Sequence, residues 1–341
     1  MLLSPCASAK ELASINDGLD TLRAQFSRDA GPHTDGYSID YSYFSPVKDN
    51  NDTSKYPLVI IMAGAREGAY EGKELLANEF ANWSSKEFQA RFAFTGGAFI
   101  LIARAPEEKL LCWDSSKLVK PLKAALDDFI EKHPNVDTDR IYAIGWCLGA
   151  KGAINITADY PGFVDAVIIM VPPFTISDSL AKKLSKIPVW LVGCKSDSYA
   201  LYNLYIEPIW KTLKNTTSIP SQIRLTSFDT AVNGTIFLNH NVWLQFSHDM
   251  AYSGNEYSGM KTIDGNSQEV STSIGCIRWL SLKGLHVPKI SNTENDKCPC
   301  ICHSSNIVFK LVWRIKVILS VVFLSNDIRR CKCGEGHFVG Q

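Results

Sequence analysis

The 341-residue sequence has no surplus of either charge: 35 Lys and Arg stand against 35 Asp and Glu. A chain with zero formal charge has no global field to gather a polyanion, and no basic stripe runs through its first 280 residues, so no nucleic-acid partner is expected. The opening stretch, MLLSPCASAKELASIN, also lacks an export signal. It offers three apolar residues, then Ser, Pro and Cys, with no charged n-region and no apolar core behind it, and a cytoplasmic location is the expectation. No internal repeat is visible. Nor is there a disulfide framework in the body of the chain. Cys6, Cys112, Cys147, Cys194 and Cys276 are scattered and odd in number, as free thiols of a reducing compartment are.

What remains is ordinary globular composition, 45% hydrophobic with 22 Gly and 15 Pro, but its charge is unevenly spread. From Lys283 to Gln341 nine Lys or Arg face four Asp or Glu, and five of the ten cysteines lie there. This divides the chain into a helical lead-in at 1–35, one domain at 36–284, and a basic, Cys-rich tail at 285–341. The tail carries Cys298-Pro-Cys300-Ile-Cys302-His303 and Cys331-Lys-Cys333 with His337. Its C-x-C spacing departs from the C-x₂-C of zinc sites, so no metal is expected. Between the clusters, residues 307–324 are apolar but include Lys310, Arg314 and Lys316, each costly at a bilayer centre. The expectation is a basic amphipathic or disordered appendage, with membrane contact through the tail as the alternative.

Within the domain, strand-like and helix-like runs alternate. Residues 37–44 alternate at period two, as a strand with one wet face does, whereas 58–62, 98–103, 140–146, 165–171 and 188–193 are continuously apolar, as strands buried on both faces are. A further strand fits 222–228. Helical patterns fit 117–132, 148–159 and 201–214. Such alternation predicts βαβ units and a mostly parallel central sheet with helices on both faces.

Chemistry in such a sheet sits at the carboxyl ends of the strands. After the strand Arg140-Ile-Tyr-Ala-Ile the chain reads Gly145-Trp146-Cys147-Leu148-Gly149, followed by a helix pattern. Glycines two before and two after a nucleophile allow a sharp strand-to-helix turn, and the helix N-terminus favours a thiolate. An acid and a histidine are then expected in that order. Asp197 follows the strand at 188–193 and fits the acid, its bland alternative being a helix cap. His240 and His248 both follow the last strand. His240 is favoured because it comes first, in a loop followed by the apolar pair Val242-Trp243, while His248 reads as a surface residue. The backbone N–H groups of Leu148, Gly64 and Ala65 are the expected oxyanion donors. Trp113, Trp146 and Trp243 are candidate walls of a substrate pocket, with core packing as the alternative.

From about Gly36 to Leu282 the chain resembles the α/β-hydrolase superfamily, within it bacterial esterases and peptidases related to the prolyl-oligopeptidase catalytic domain and to polyhydroxybutyrate-depolymerase-like esterases. The resemblance rests on DGYSIDYSYFSPVKD, KYPLVIIMAG, VDTDRIYAIGWCLGAKGA, IPVWLVGCKSD, His240-Asn241-Val242-Trp243 and MKTIDGNSQEV with IRWLSL. It implies the α/β-hydrolase fold and cleavage of a carboxylic ester, lactone or short peptide, without a cofactor, by Cys147, Asp197 and His240 through a thioacyl intermediate. Around the elbow the chain is also similar to dienelactone hydrolases, where a G-x-C-x-G elbow with a Cys-Asp-His triad is normal. Two features differ from the esterase pattern. Cys147 and Ala150 stand where G-x-S-x-G-G is usual, and Ala63-Gly64-Ala65-Arg66 stands where His-Gly usually follows the first buried strand. They keep open an alternative, a catalytically impaired relative that acts as a binding protein.

Overall fold

A continuously apolar strand is stable only where both of its faces are covered, and the sequence holds several such strands. A computed structural model of the chain describes residues 19–64, 80–106, 113, 116–230, 239–240, 242–247, 249, 259–271 and 275–284. Among them nine strands form one sheet: β1 (Ser27–Ala30), β2 (Asp40–Phe44), β3 (Tyr56–Met62), β4 (Phe99–Ala103), β5 (Val136–Trp146), β6 (Ala166–Met170), β7 (Val189–Cys194), β8 (Ile223–Phe228) and β9 (Lys261–Asp264). Their order is β1-β2-β4-β3-β5-β6-β7-β8-β9. The six strands from β4 across to β8 pair in parallel, while β1, β2 and β9 run antiparallel at the two edges.

Beyond the helical residues 19–23 and short 3₁₀ and π segments, the described α-helices are α1 (Lys86–Gln89), α2 (Val119–Lys132), α3 (Gly149–Asp159), α4 (Asp178–Leu184), α5 (Glu207–Thr216), α6 (Trp243–Ser247) and α7 (Gly275–Ser281). Alternate strand residues sort into two cores. Leu58, Ile60, Met62, Ile141 and Ala143 pack with Leu122, Phe129, Ile154 and Leu213 of α2, α3 and α5 on one face. Val59, Ile61, Tyr142, Ile144 and Trp146 pack with Phe80, Trp83, Phe246, Ile277 and Leu280 on the other. Each fully buried Leu, Ile or Phe contributes about 1.5–3 kcal/mol, so this period-two sorting fixes the register, since a one-residue slip would exchange the faces.

The lead-in differs from expectation. Residues 19–23 are helical, but Ser27–Ala30 is an edge strand that pairs antiparallel with β2. Its four exposed residues, SRDA, carry no apolar pattern to announce a strand. Residues 1–18 and the tail at 285–341, with its cysteine clusters and apolar run, lie outside the described residues.

Candidate active site

Register aligns the strand ends that matter. Met62 of β3 pairs with Gly145 of β5, and Trp146 of β5 pairs with Met170 of β6, so the residues after β3 and β5 emerge side by side at the carboxyl edge. Cys147 follows directly, with φ of 52°. A non-glycine residue in this left-handed region costs roughly 1–3 kcal/mol, and the surrounding structure holds it there. Its N–H donates to the Met170 carbonyl at 3.0 Å, and its own carbonyl accepts from the Ala150 N–H at 3.2 Å.

The two flanking glycines are required by space rather than by φ. A Cβ on Gly145 would overlap the Gly149 carbonyl, and one on Gly149 would overlap the carbonyl oxygens of both Met62 and Ala63. Strand β3, the elbow and the start of α3 are therefore in backbone contact. A Cβ on Gly64 would lie 3.0 Å from the Cys147 Cβ, which sets Gly64 beside the thiol. Leu148 is the residue at which α3 begins, where N–H groups have no intrahelical acceptor. Gly64 and Leu148 thus flank Cys147, and Ala65 lies outside the described residues.

Asp197 follows β7 and its side chain is fully buried. Its Oδ1 accepts the N–H of Tyr199 at 2.7 Å and of Ala200 at 3.0 Å, and its Oδ2 meets His240 Nδ1 at 2.7 Å. One oxygen closes a tight local turn onto residues 199 and 200 and the other serves the histidine; no helix starts there, since the next helical segment begins at Tyr202 with Leu201 as its cap residue. The loop is tied to the end of β8 as well. Lys195 Nζ pairs with Asp229 at 2.7 Å, and Ser196 Oγ donates to the Asp229 carbonyl at 2.6 Å. Asn239, beside the histidine, donates to the Ser196 carbonyl at 3.3 Å.

With Nδ1 on Asp197, the imidazole's other nitrogen is left for Cys147, whose side chain lies close enough to act on the imidazole. Burial by itself pulls the His240 pKa down. The hydrogen bond to Asp197 and the nearby Asp197 and Cys147 side chains outweigh it, and the imidazole is pushed up to about 9. The structure therefore gathers Cys147, His240 and Asp197 at one site, with His240 bonded to the Asp197 carboxylate. His248 lies outside the described residues.

The three tryptophans do not share a pocket wall. Trp113 is 3% exposed in the core on the α2–α3 face, against Gly152. Trp146 and Trp243 belong to the opposite core, stacked on each other at 5.6 Å, and Phe80 stacks on Trp146 at 5.3 Å. The large apolar area of an indole makes burial the stronger demand. Trp243 still touches the site, edge-on to His240 at 5.5 Å. A second aromatic neighbour of His240, Tyr199, escaped the sequence reading, although its position two residues after Asp197 was a usable signal.

Residues 104–224 match the dienelactone hydrolase family. The match takes in the elbow and Asp197, reaching well beyond the elbow alone, and stops short of His240. A thermostable esterase of known structure is similar in fold, with a TM-score of 0.55 and 20% identity over 67% of this chain and 62% of that one. This chain thus spans less than two thirds of that esterase's length. An acylaminoacyl peptidase from Pyrococcus horikoshii aligns at a TM-score of 0.47 and 13% identity, over 68% of this chain and 42% of the peptidase. No curated protein sequence matches significantly.

Proposed function

We propose that this chain, an α/β-hydrolase by fold, is a carboxylic-ester hydrolase with Cys147 as nucleophile, His240 as base and acid, and Asp197 as the group that orients the imidazole. The observation that supports the reading is the 2.7 Å contact of His240 Nδ1 with the buried Asp197 carboxylate, with the Cys147 side chain near enough to raise the pKa of the same imidazole. Asp197 on Nδ1 sets the tautomer and favours the imidazolium. His240 holds Cys147 as a thiolate, or takes its proton during attack, and sulfur attacks the ester carbonyl. The tetrahedral oxyanion forms beside the N–H groups of Leu148 and the turn at Gly64, where each good donor is worth about 10²–10³ in rate. His240 then delivers the proton to the departing alcohol oxygen as the C–O bond breaks, leaving a thioacyl enzyme. Water, deprotonated by His240, releases the carboxylic acid and restores the thiol. Lactones and short peptides present the same carbonyl, and the dienelactone hydrolase match over 104–224 and the esterase-like fold support small acyl substrates.

The test is hydrolysis of a short-chain p-nitrophenyl ester series by the full chain, beside Cys147→Ala and Cys147→Ser, with and without a thiol-alkylating reagent. Cys147→Ala is expected to lose at least about 10³-fold in kcat, and alkylation to silence the wild type. Activity that survives Cys147→Ala overturns the assignment. An inactive wild type with an active Cys147→Ser points instead to a scaffold kept for binding after loss of its serine.

A further inference from the structure

Among the described residues the large hydrophobic side chains left most exposed are Phe94, Tyr199, Leu201, Leu204 and Ile219. Three of these five fall within six residues of chain, directly after Asp197. A cluster of apolar groups that stays in water at a site's edge, while every described tryptophan is buried in a core, marks a contact surface.

Tyr199 is held in place by the site itself. Its N–H donates to Asp197 Oδ1 at 2.7 Å, so the carboxylate that orients His240 also fixes the Tyr199 backbone. Its ring centre lies 5.4 Å from that of His240, tilted by 52°, and the residue is 62% exposed. The other aromatic beside the imidazole, Trp243, is only 4% exposed and belongs to the core. Among the described residues His240 therefore has one aromatic neighbour committed to packing and one open to solvent. Beyond it, the Leu204 N–H donates to the Leu201 carbonyl at 3.0 Å, so these two exposed leucines stand one turn apart and extend the apolar edge.

We propose that Tyr199, extended by Leu201 and Leu204, is the leaving-group subsite, and that the alcohol part of the substrate is aromatic or otherwise flat and apolar. This rests on the esterase reading above. The proton that His240 gives up goes to the leaving-group oxygen, so that oxygen must come to the imidazole and the group attached to it lies along the imidazole's flank. The acyl part is held on the other side of the scissile bond, between Cys147 and the N–H groups near Gly64 and Leu148. A ring over the Tyr199 face excludes water from one side of the proton transfer and gains the offset or edge contact that aromatic pairs prefer.

The test compares kcat/KM for the phenyl and methyl esters of one acid in wild type, Tyr199→Phe and Tyr199→Ala, and measures phenol binding to the same proteins by saturation-transfer NMR. Each variant-to-wild-type ratio cancels the esters' intrinsic reactivity. Tyr199→Ala is expected to lose about tenfold more on the phenyl than on the methyl ester and to bind phenol correspondingly less, and Tyr199→Phe to keep the wild-type preference. Equal losses on both esters, or undiminished phenol binding by Tyr199→Ala, overturn the subsite. A wild type that binds phenol through Tyr199 but hydrolyses neither ester overturns the esterase reading and with it the leaving-group role, and leaves Tyr199 as an aromatic-binding site only. One that neither binds phenol nor hydrolyses the esters overturns both.

Discussion

His240 illustrates how much a single side chain depends on its two partners. Burial opposes its charge, yet Asp197 and Cys147 raise its pKa from 6.5 to about 9. Because the folded value lies above the unfolded one, the stability this histidine contributes is fully present below pH 6.5 and is lost as pH rises toward 9. Removing a partner removes the upward push and leaves the burial. In Asp197→Asn, and separately in Cys147→Ala, the His240 midpoint is therefore expected to fall from about 9, read by the pH dependence of its ring resonances in NMR. Wild type should also exceed Asp197→Asn in unfolding free energy by more at pH 6 than at pH 9.5. A midpoint unchanged in both variants would mean that neither group governs the imidazole. Much of this constellation was legible in the sequence, because an elbow between two glycines and an acid just past a buried strand are local patterns. The contact of His240 with Asp197 was not, since it joins residues 43 apart and depends on where separate strand ends converge.

At the scale of elements, the seven strands read from the sequence were those whose residues bury a face, and the two that escaped, β1 and β9, are edge strands four residues long. Short edge strands need little apolar pattern, because one side has no neighbour and backbone pairing does the rest. Helix α4 escaped for a related reason. It spans only seven residues, although Ser177 caps it by accepting the Leu180 N–H at 3.3 Å. The G-x-C-x-G signature was read for its turn, while the structure adds that its second glycine is a spacer between β3 and α3. Gly149→Ala would drive a methyl group into the Met62 and Ala63 carbonyls. An overpacking cost of about 1–3 kcal/mol is expected in urea unfolding. Because Ala63 leads directly into Gly64, the shift should also lower kcat, whereas Ala150→Gly, which only empties space on α3, should cost about 1 kcal/mol and leave kcat closer to wild type. A Gly149→Ala protein with unchanged stability would show that β3 and α3 separate freely.

Over the whole molecule, the segment carrying His240 is held by contacts that span more than 150 residues of sequence. Trp83 Nε1 donates to the carbonyls of Phe246 at 3.3 Å and Ser247 at 3.1 Å, which close α6. Arg91 pairs with Asp249 at 2.9 Å, and Asp249 in turn accepts the Ile277 N–H at 2.7 Å in the first turn of α7. One buried carboxylate thus joins the 80–92 segment, the end of α6 and the start of α7. Burial raises the Asp249 pKa, and the Ile277 and Arg91 contacts work against that rise. A carboxyl with a raised folded pKa favours the folded state while neutral, and that advantage drains away as pH climbs past 3.8 toward the folded value. Arg91→Leu removes one of the groups that offset the burial, so ionised Asp249 is left with the Ile277 N–H and the Cys276 thiol and no cation. Leaving a buried charge unpaired costs about 3–5 kcal/mol, and the partial exposure of Arg91, 29%, reduces the expectation to about 2 kcal/mol near neutral pH. At pH 4, where a proton can neutralise Asp249, the variant should lie closer to wild type. Urea unfolding of both proteins at the two pH values decides it: a deficit that is the same at pH 4 and pH 7 would assign the role of Arg91 to its packing on Phe88, 4.4 Å beneath the guanidinium, rather than to its charge.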